Sequence, residues 1–317
     1  MGDGFGPAPV SQCSMLTSDR LRVAVVVATK GRPATAKWLL RMLERQEVKP
    51  DLVVFSATEE ADVERCDHVG FSVEYIFGPA GLTKQRNRGL DAIEGRADVV
   101  VFFDDDFLPA KDWIRACEAV FRADPRVCGL DGRVIYDGAA PDNFRASRGL
   151  ATEEVVNVIL EAERNEAYNG IGMVERENLY GCNMAFRLSL VGERRFDENL
   201  VGYGLFEDRD FSTRIALRGR LVRVESLIGA HVAQRTARAA GTAHGYAQVI
   251  NAWYLRKKRT GSTLWAVRQT VRVLLGNAML SLFPEPHIDR RGRLLGNLKA
   301  VRELALGRCD PRGLRNV

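Results

Sequence analysis

The chain has 317 residues, 46% of them apolar and 27% charged, a balance that excludes disordered and fibrous proteins and permits a sizeable core. Its net charge of +5 hides an asymmetry: from Ala252 onward there are fourteen Lys/Arg against four Asp/Glu, so a basic tail follows an acidic body, which excludes a nucleic-acid-binding fold throughout. Six scattered cysteines with no metal-ligand spacing exclude a zinc centre and predict reduced thiols in a cytoplasmic protein.

Residues 1–20 read as a flexible leader, without the basic start and apolar stretch of a signal peptide. "LRVAVVVATKGRP" (21–33) is a β-branched run stopped by a Gly/Pro turn, as expected of a buried parallel strand entering a loop. In 34–46, Trp38, Leu39, Met42 and Leu43 recur at helical spacing. Strands are predicted at 51–58 and 71–78, a helix over 82–95, and a fourth strand in "ADVVVFFDDD" (97–106). Strand and helix alternating four times predict βαβ units and a mostly parallel sheet with helices on both faces. Ligands of such sheets bind at the carboxyl ends of the strands, where the loops at 29–32, 56–59, 78–81 and 104–106 lie. Beyond these, 128–138 reads as a strand, 151–167 as an acidic helical segment, and 207–224 as a helix with a glycine stop followed by a strand. No internal repeat or low-complexity linker divides residues 21–250, which read as one domain, with 251–317 as a basic helical extension.

Asp104, Asp105 and Asp106 end the fourth strand. Residues two apart in an extended chain point the same way, so Asp104 and Asp106 can face one site and Asp105 another. Two converging carboxylates make a hard oxygen site suited to Mg2+ or Mn2+. A solvated acidic turn capping the next helix is the alternative, but the apolar run before the triplet places it at the ligand edge of the sheet. In "TKQRNRG", Lys84, Arg86 and Asn87 occupy one helical turn and cannot all face the same way; a solvated basic face is the alternative there.

The ordered set "VVVATKGRP", "GLTKQRNRGLDAI", "VVVFFDDDFLP", "GCNMAFR" and "FDENLVGYGLFEDRDFSTRIALRG" resembles the family 2 glycosyltransferases with the GT-A fold, over roughly residues 21 to 235. The resemblance implies a nucleotide-sugar donor (UDP-, GDP- or dTDP-linked), a sugar or lipid-linked acceptor, as in polysaccharide biosynthesis, and inversion by single displacement. It maps the metal-holding carboxylates onto Asp104 and Asp106, with Asp105 toward the donor, and onto His231 a histidine that completes the metal site or contacts the pyrophosphate. The Asp of "ED", Asp208, takes the role of general base, beside Glu207. Thr29, Arg32, Ser56, Lys84, Arg86 and Asn87 take donor-side roles. Ser56 stands where an acidic residue is common, which leaves the nucleotide open. Gly181, Cys182 and Asn183 shape the acceptor side.

Two other enzyme classes fit less well. A sugar-nucleotide nucleotidyltransferase needs a Gly-rich phosphate loop after the first strand, and "ATKGRP" has one glycine. A strand-end phosphatase needs a hydroxyl residue after its nucleophilic Asp, which "DDDFLP" lacks. A catalytically inactive carbohydrate- or nucleotide-binding module is disfavoured by the full acidic set at 104–106 and 207–208. The basic segment 251–283 combines cations with an apolar helical pattern, as in a helix lying on an anionic membrane surface; packing on the catalytic domain or a homodimer contact is the alternative.

Overall fold

The computed structural model describes residues 20–66, 69–139, 150–165, 172–233, 240–283, 285 and 288–316; the expected leader lies outside them but for Arg20. The first four strands are β1 (Val23–Ala28), β2 (Leu52–Ala57), β3 (Ser72–Phe77) and β4 (Val99–Asp104), with helices α1 (Pro33–Glu44) and α2 (Leu82–Ala92) between them. They pair in parallel in the order β3-β2-β1-β4. Pro33 opens α1, where its fixed φ suits the helix and its missing N–H is not needed. The expected alternation of strand and helix is corrected between β2 and β3, which are joined by a short 3-10 turn, Glu60–Asp62, and loop. That stretch is charged and has no helix-length apolar stripe to bury.

β5 (Phe107–Pro109), α3 (Trp113–Ala123), β6 (Val127–Asp137), α4 (Thr152–Ala162), β7 (Met173–Glu175), β8 (Asn183–Arg187), α5 (Leu188–Val191), α6 (Glu207–Ala216) and β9 (Arg220–His231) follow. They extend the sheet to β3-β2-β1-β4-β8-β6-β9-β5, with β7 on β9. β8 runs antiparallel to β4 and β6, whereas β9 is parallel to β6, so a mixed half adjoins the parallel one.

Alternate residues of the central strands build two cores. Val23, Val25 and Val27 face Leu39 and Leu43 of α1 and Trp113, Ile114 and Phe121 of α3. Ala24 and Val26 face the other way, toward Leu90 of α2 and Phe211 and Ile215 of α6. Each large apolar side chain fully buried here contributes roughly 1.5–3 kcal/mol. A Cβ at Gly89 would lie 2.2 Å from Val26 Cγ1, so α2 approaches β1 more closely than any side chain at that position permits.

The C-terminal helices α7 (Gly241–Lys258), α8 (Thr263–Leu280) and α9 (Arg290–Ala305) share a small core of Tyr246, Val249, Ile250, Val273 and Ala300. α7 is tied to the body. Lys258 Nζ reaches Asp197 at 2.5 Å and the fully buried Asp210 at 2.8 Å, and Thr260 donates to Asp210 at 2.8 Å. α8 leaves Leu264, Val267, Val271, Leu275 and Met279 exposed, a stripe at helical spacing. No described helix is long and apolar enough to cross a membrane.

Candidate active site

The ends of β1 and β4 lie side by side, with Ala28 opposite Asp104. The next residues therefore emerge together at the carboxyl edge of the sheet. Thr29 Oγ1 donates to Asp105 Oδ2 at 2.7 Å; Arg32 Nη2 lies 3.2 Å from Asp105 Oδ1, and its Nη1 donates to Asp106 Oδ2 at 3.1 Å. Burial pushes the Asp105 carboxyl up to about 8, with neighbouring Asp106 adding to the rise and Arg32 opposing it. Gly31, at φ +65, makes the turn that brings Arg32 back to the strand ends. Asp62 fastens that turn by accepting from the Gly31 N–H at 2.6 Å and the Thr58 N–H at 2.8 Å.

β9 delivers a histidine to the same place. His231 is registered against Asp137 of β6 and Phe107 of β5, and the Val232 N–H donates to the Asp106 carbonyl at 3.0 Å. His231 Nε2 thus lies 3.3 Å from Asp106 Oδ1, while Nδ1 lies 3.0 Å from Asp137 Oδ1. Tyr180 donates its hydroxyl to the other Asp137 oxygen at 2.9 Å. Burial would lower the His231 pKa, but Asp106 and Asp137 outweigh it and hold the imidazole well above its ordinary value.

Asp104, Asp106 and His231 each offer a ligand atom, and these atoms lie within 4.8 Å of one another. Two carboxylates and an imidazole form a donor set suited to Mn2+ or Mg2+, the nitrogen favouring Mn2+. The Asp137 carboxylate fits the same purpose, since a metal-binding histidine usually has its second ring nitrogen held by a carboxylate.

A second acidic pair stands opposite. Glu207 and Asp208 open α6, where carboxylates complement the positive end of the helix. Arg86 of α2 joins them to the strand end: its side chain is only 2% exposed, Nη2 donates to Asp104 Oδ1 and to the Gly181 carbonyl, both at 2.8 Å, and Nη1 donates to Glu207 Oε1. The guanidinium lies 5.7 Å from the Phe102 ring and 5.5 Å from Phe196, so it is clamped by aromatic faces as well as by carboxylates. Burial pushes the Glu207 carboxyl up to about 8, while Arg86 draws it down. Asp208 accepts from the Gly181 N–H at 3.0 Å and the Arg209 N–H at 2.7 Å. Burial nevertheless holds its pKa above the ordinary value, against those donors and Arg86. A Cβ at Gly181 would come within 3.1 Å of Asp208 Cβ, so glycine leaves room for this carboxylate.

The sequence profile of Glycosyl transferase family 2 matches residues 25–193, more than half of the chain. The protein belongs to this family. Its mixed sheet with a parallel core, helices on both faces and helical tail has the GT-A architecture. Similar solved structures include a mannosyltransferase of Pyrobaculum calidifontis in complex with GDP-Man and Mn2+, at 16% identity over 94% of this chain and 79% of that one, with a TM-score of 0.47. TarS of S. aureus is similar at 15% identity over 82% of this chain and 44% of that one, with a TM-score of 0.45. No curated protein sequence matches the chain.

In this glycosyltransferase, Thr29, Arg32, Asp104, Asp105, Asp106, Arg86, Glu207, Asp208 and His231 form one connected set. Ser56 lies at the neighbouring strand end, fully buried, with its carbonyl accepting from Gln85 at 2.7 Å and its hydroxyl without a hydrogen-bond partner among the described residues. Lys84 lines a separate cleft of about 230 Å3 with Thr83, Glu198 and Gly202. Asn87 is occupied in pinning the 196–198 loop, accepting from the Phe196 N–H at 2.7 Å and donating to the Phe196 carbonyl and Glu198, each at 3.0 Å. Sequence reasoning missed Asp137, Tyr180 and Asp62. Asp137 is one acidic residue at a strand end, and its partner lies 94 positions away.

Proposed function

We propose that this family member is an inverting glycosyltransferase, moving a sugar from a nucleotide-sugar donor to a hydroxyl of a glycan, lipid-linked sugar or small-molecule acceptor. One observation carries the reading: buried Arg86 holds Asp104 and Glu207 at the same guanidinium, so the strand-end acids and the helix-start acids face shared space. Asp104, Asp106 and His231 would hold Mn2+ or Mg2+, which supplies positive charge to a diphosphate leaving group. Thr29 and Arg32 fix Asp105 toward the donor, and Ser56 stands at the neighbouring strand end; Asn87 supports that side by holding the 196–198 loop and Lys84 faces its own cleft, with UDP, GDP and dTDP as candidate nucleotides. Asp208 accepts the acceptor hydroxyl's proton as that oxygen attacks the anomeric carbon. Glu207 holds Arg86, whose charge favours the ionised form of Asp208, and a raised pKa makes that carboxylate a stronger base than an ordinary aspartate.

The catalytic domain is assigned to 21–250 and the basic extension to 251–317, a boundary that falls within α7, whose first half already packs with α8 and α9; the enzyme is assigned to the cytoplasm, touching the inner membrane face through that extension. The exposed apolar stripe of α8, flanked by Arg268 and Arg272, supports an anionic lipid surface as the occupant.

A thermal-shift screen of nucleotide sugars with and without Mn2+ tests the donor reading, since a ligand of the folded state raises the melting temperature. A cation-dependent shift for one nucleotide sugar, lost in Asp106→Asn, is the expected result. Proton NMR of the product should then show the anomeric configuration opposite to the donor's. No cation-dependent shift with any donor, or retention of configuration, would sink the reading.

A further inference from the structure

Beyond the carboxylates, a cleft of about 740 Å3 opens between α6 and the turn joining α7 to α8. Arg209, Arg256, Lys257 and Arg259 line it, with Thr213 and Ser262, and Glu177 is the single carboxylate among its described lining residues. We infer that this cleft is an anion subsite on the acceptor side of the active centre, binding a phosphate group carried by the acceptor.

Arg256, Lys257 and Arg259 are exposed to solvent and Arg209 is partly buried, so the four give the cleft wall a positive potential that attracts an anion. Glu177 does little to offset this: it lies 3.5 Å from Arg209, but its side chain is 90% exposed to solvent. Arg209 is held ready. Its guanidinium lies 4.4 Å from the Trp265 ring, its Nη1 donates to Asn178 at 2.8 Å, and its Nε is buried with no hydrogen-bond partner among the described residues. Burial lowers its pKa even with Asp208 and Glu177 nearby, so a ligand of opposite charge would relieve it.

The turn adds two further features. Arg259 caps α7 at φ +65, a left-handed position where glycine is favoured. An arginine there keeps a cation on the cleft at the expense of backbone comfort. α8 begins at the same place, with Ser262 as its N-cap, so the positive end of an 18-residue helix points at the cavity. Arg256 braces the turn by donating to Thr263 at 3.3 Å.

The link to catalysis is Arg209, which follows Asp208 and donates its backbone N–H to that carboxylate. A phosphate in the cleft would anchor an acceptor whose hydroxyl lies toward Asp208, and in this respect the assignment rests on the transferase reading. The phosphate could belong to a soluble phosphorylated acceptor or to a lipid headgroup, for which the exposed stripe of α8 starts nearby at Leu264.

The test uses inorganic phosphate and the full chain, with calorimetric titration of the wild type, Arg256→Ala and Arg259→Gly. The glycine variant relieves the left-handed backbone, so it should fold at least as well as the wild type while lacking the cation. Loss of one arginine contact to a charged group should weaken phosphate about tenfold in each variant. Unchanged affinity in both overturns the subsite. Co-sedimentation with vesicles of phosphatidylglycerol in phosphatidylcholine separates the sources. Weaker binding of Arg259→Gly to these vesicles assigns the phosphate to a lipid, whereas unchanged vesicle binding with weaker free phosphate assigns it to a soluble acceptor. Variant-sensitive phosphate binding without donor-induced stabilisation of the wild type would sink the transferase reading and leave the anion site standing. Donor stabilisation with variant-insensitive phosphate would do the reverse.

Discussion

The acidic triplet that ends β4 and the acidic pair that opens α6 are both built from carboxylates and share Arg86, yet their surroundings differ. At Asp105 and Asp106 the partners include side chains that can be exchanged for an incoming cation: Arg32 on both, and His231 on Asp106. At the pair, Asp208 is held by backbone N–H groups that have nowhere else to go, and Glu207 is locked to a guanidinium inside the protein. A third acidic site, Asp197 with Asp210, is neutralised by Lys258 and Arg214 and keeps α7 on the body. Identical carboxylates are thus suited to cation binding, proton transfer or cohesion according to whether their partners are exchangeable, fixed or sealed.

Breaking the fixed site should have the largest effect. Asp208→Asn is expected to lower kcat by about 10²–10⁴-fold, the range for loss of a general base, with donor binding unchanged; steady-state kinetics with separate donor titration checks both. In the wild type, Asp208 must be ionised to accept a proton, and burial raises its pKa. Turnover should therefore fall on acidification at a pH above the ordinary aspartate value of 3.8, a limb that a pH–kcat profile would reveal and that Asp208→Asn should lack. An acid limb that persisted in the variant would move the base elsewhere.

Breaking the sealed site comes next. Lys258→Ala leaves Asp210 with Arg214 and Thr260 only, and should cost about 2–4 kcal/mol in urea unfolding, near the lower end for a broken buried ion pair. Burial alone would raise Asp197, but Lys258 and the Asn199 and Tyr254 donors hold it below 3.8. A depressed carboxylate stabilises the fold above its unfolded-state pKa, and that stability is lost as pH falls through the folded value. The variant should therefore lose less stability than the wild type on strong acidification. The smallest effect belongs to the exchangeable site's outer support. Asp137→Asn removes the anion that orients His231 and should weaken Mn2+ binding about 10–100-fold, read by calorimetry, with the fold intact. An unchanged Mn2+ affinity would detach His231 from the cation site.

Much of this arrangement was legible in the sequence, and unevenly so. β1, β2 and β4 are nearly continuous apolar runs because they are buried on both faces, and the triplet's place at their ends followed. α3 carries a readable stripe, with Trp113, Ile114, Cys117, Val120 and Phe121 buried at helical spacing. The missing helix between β2 and β3 was foreshadowed by a charged stretch with no stripe. The union of the triplet with Glu207 was not legible, because an arginine in a basic helical turn reads as solvated until tertiary packing closes over it. The pairing of Asp137 with His231 arises from strand register between β6 and β9, which no local pattern encodes.

Gly89 has no chemistry of its own, yet the grip of Arg86 depends on it. Alanine there would meet Val26 at 2.2 Å and wedge the helix away from the strand, carrying the guanidinium three residues earlier out of reach of its oxygens. The reach of one cation is thus set by the thinnest spacer in the layer beneath it, and a methyl group is enough to separate the two halves of the active centre.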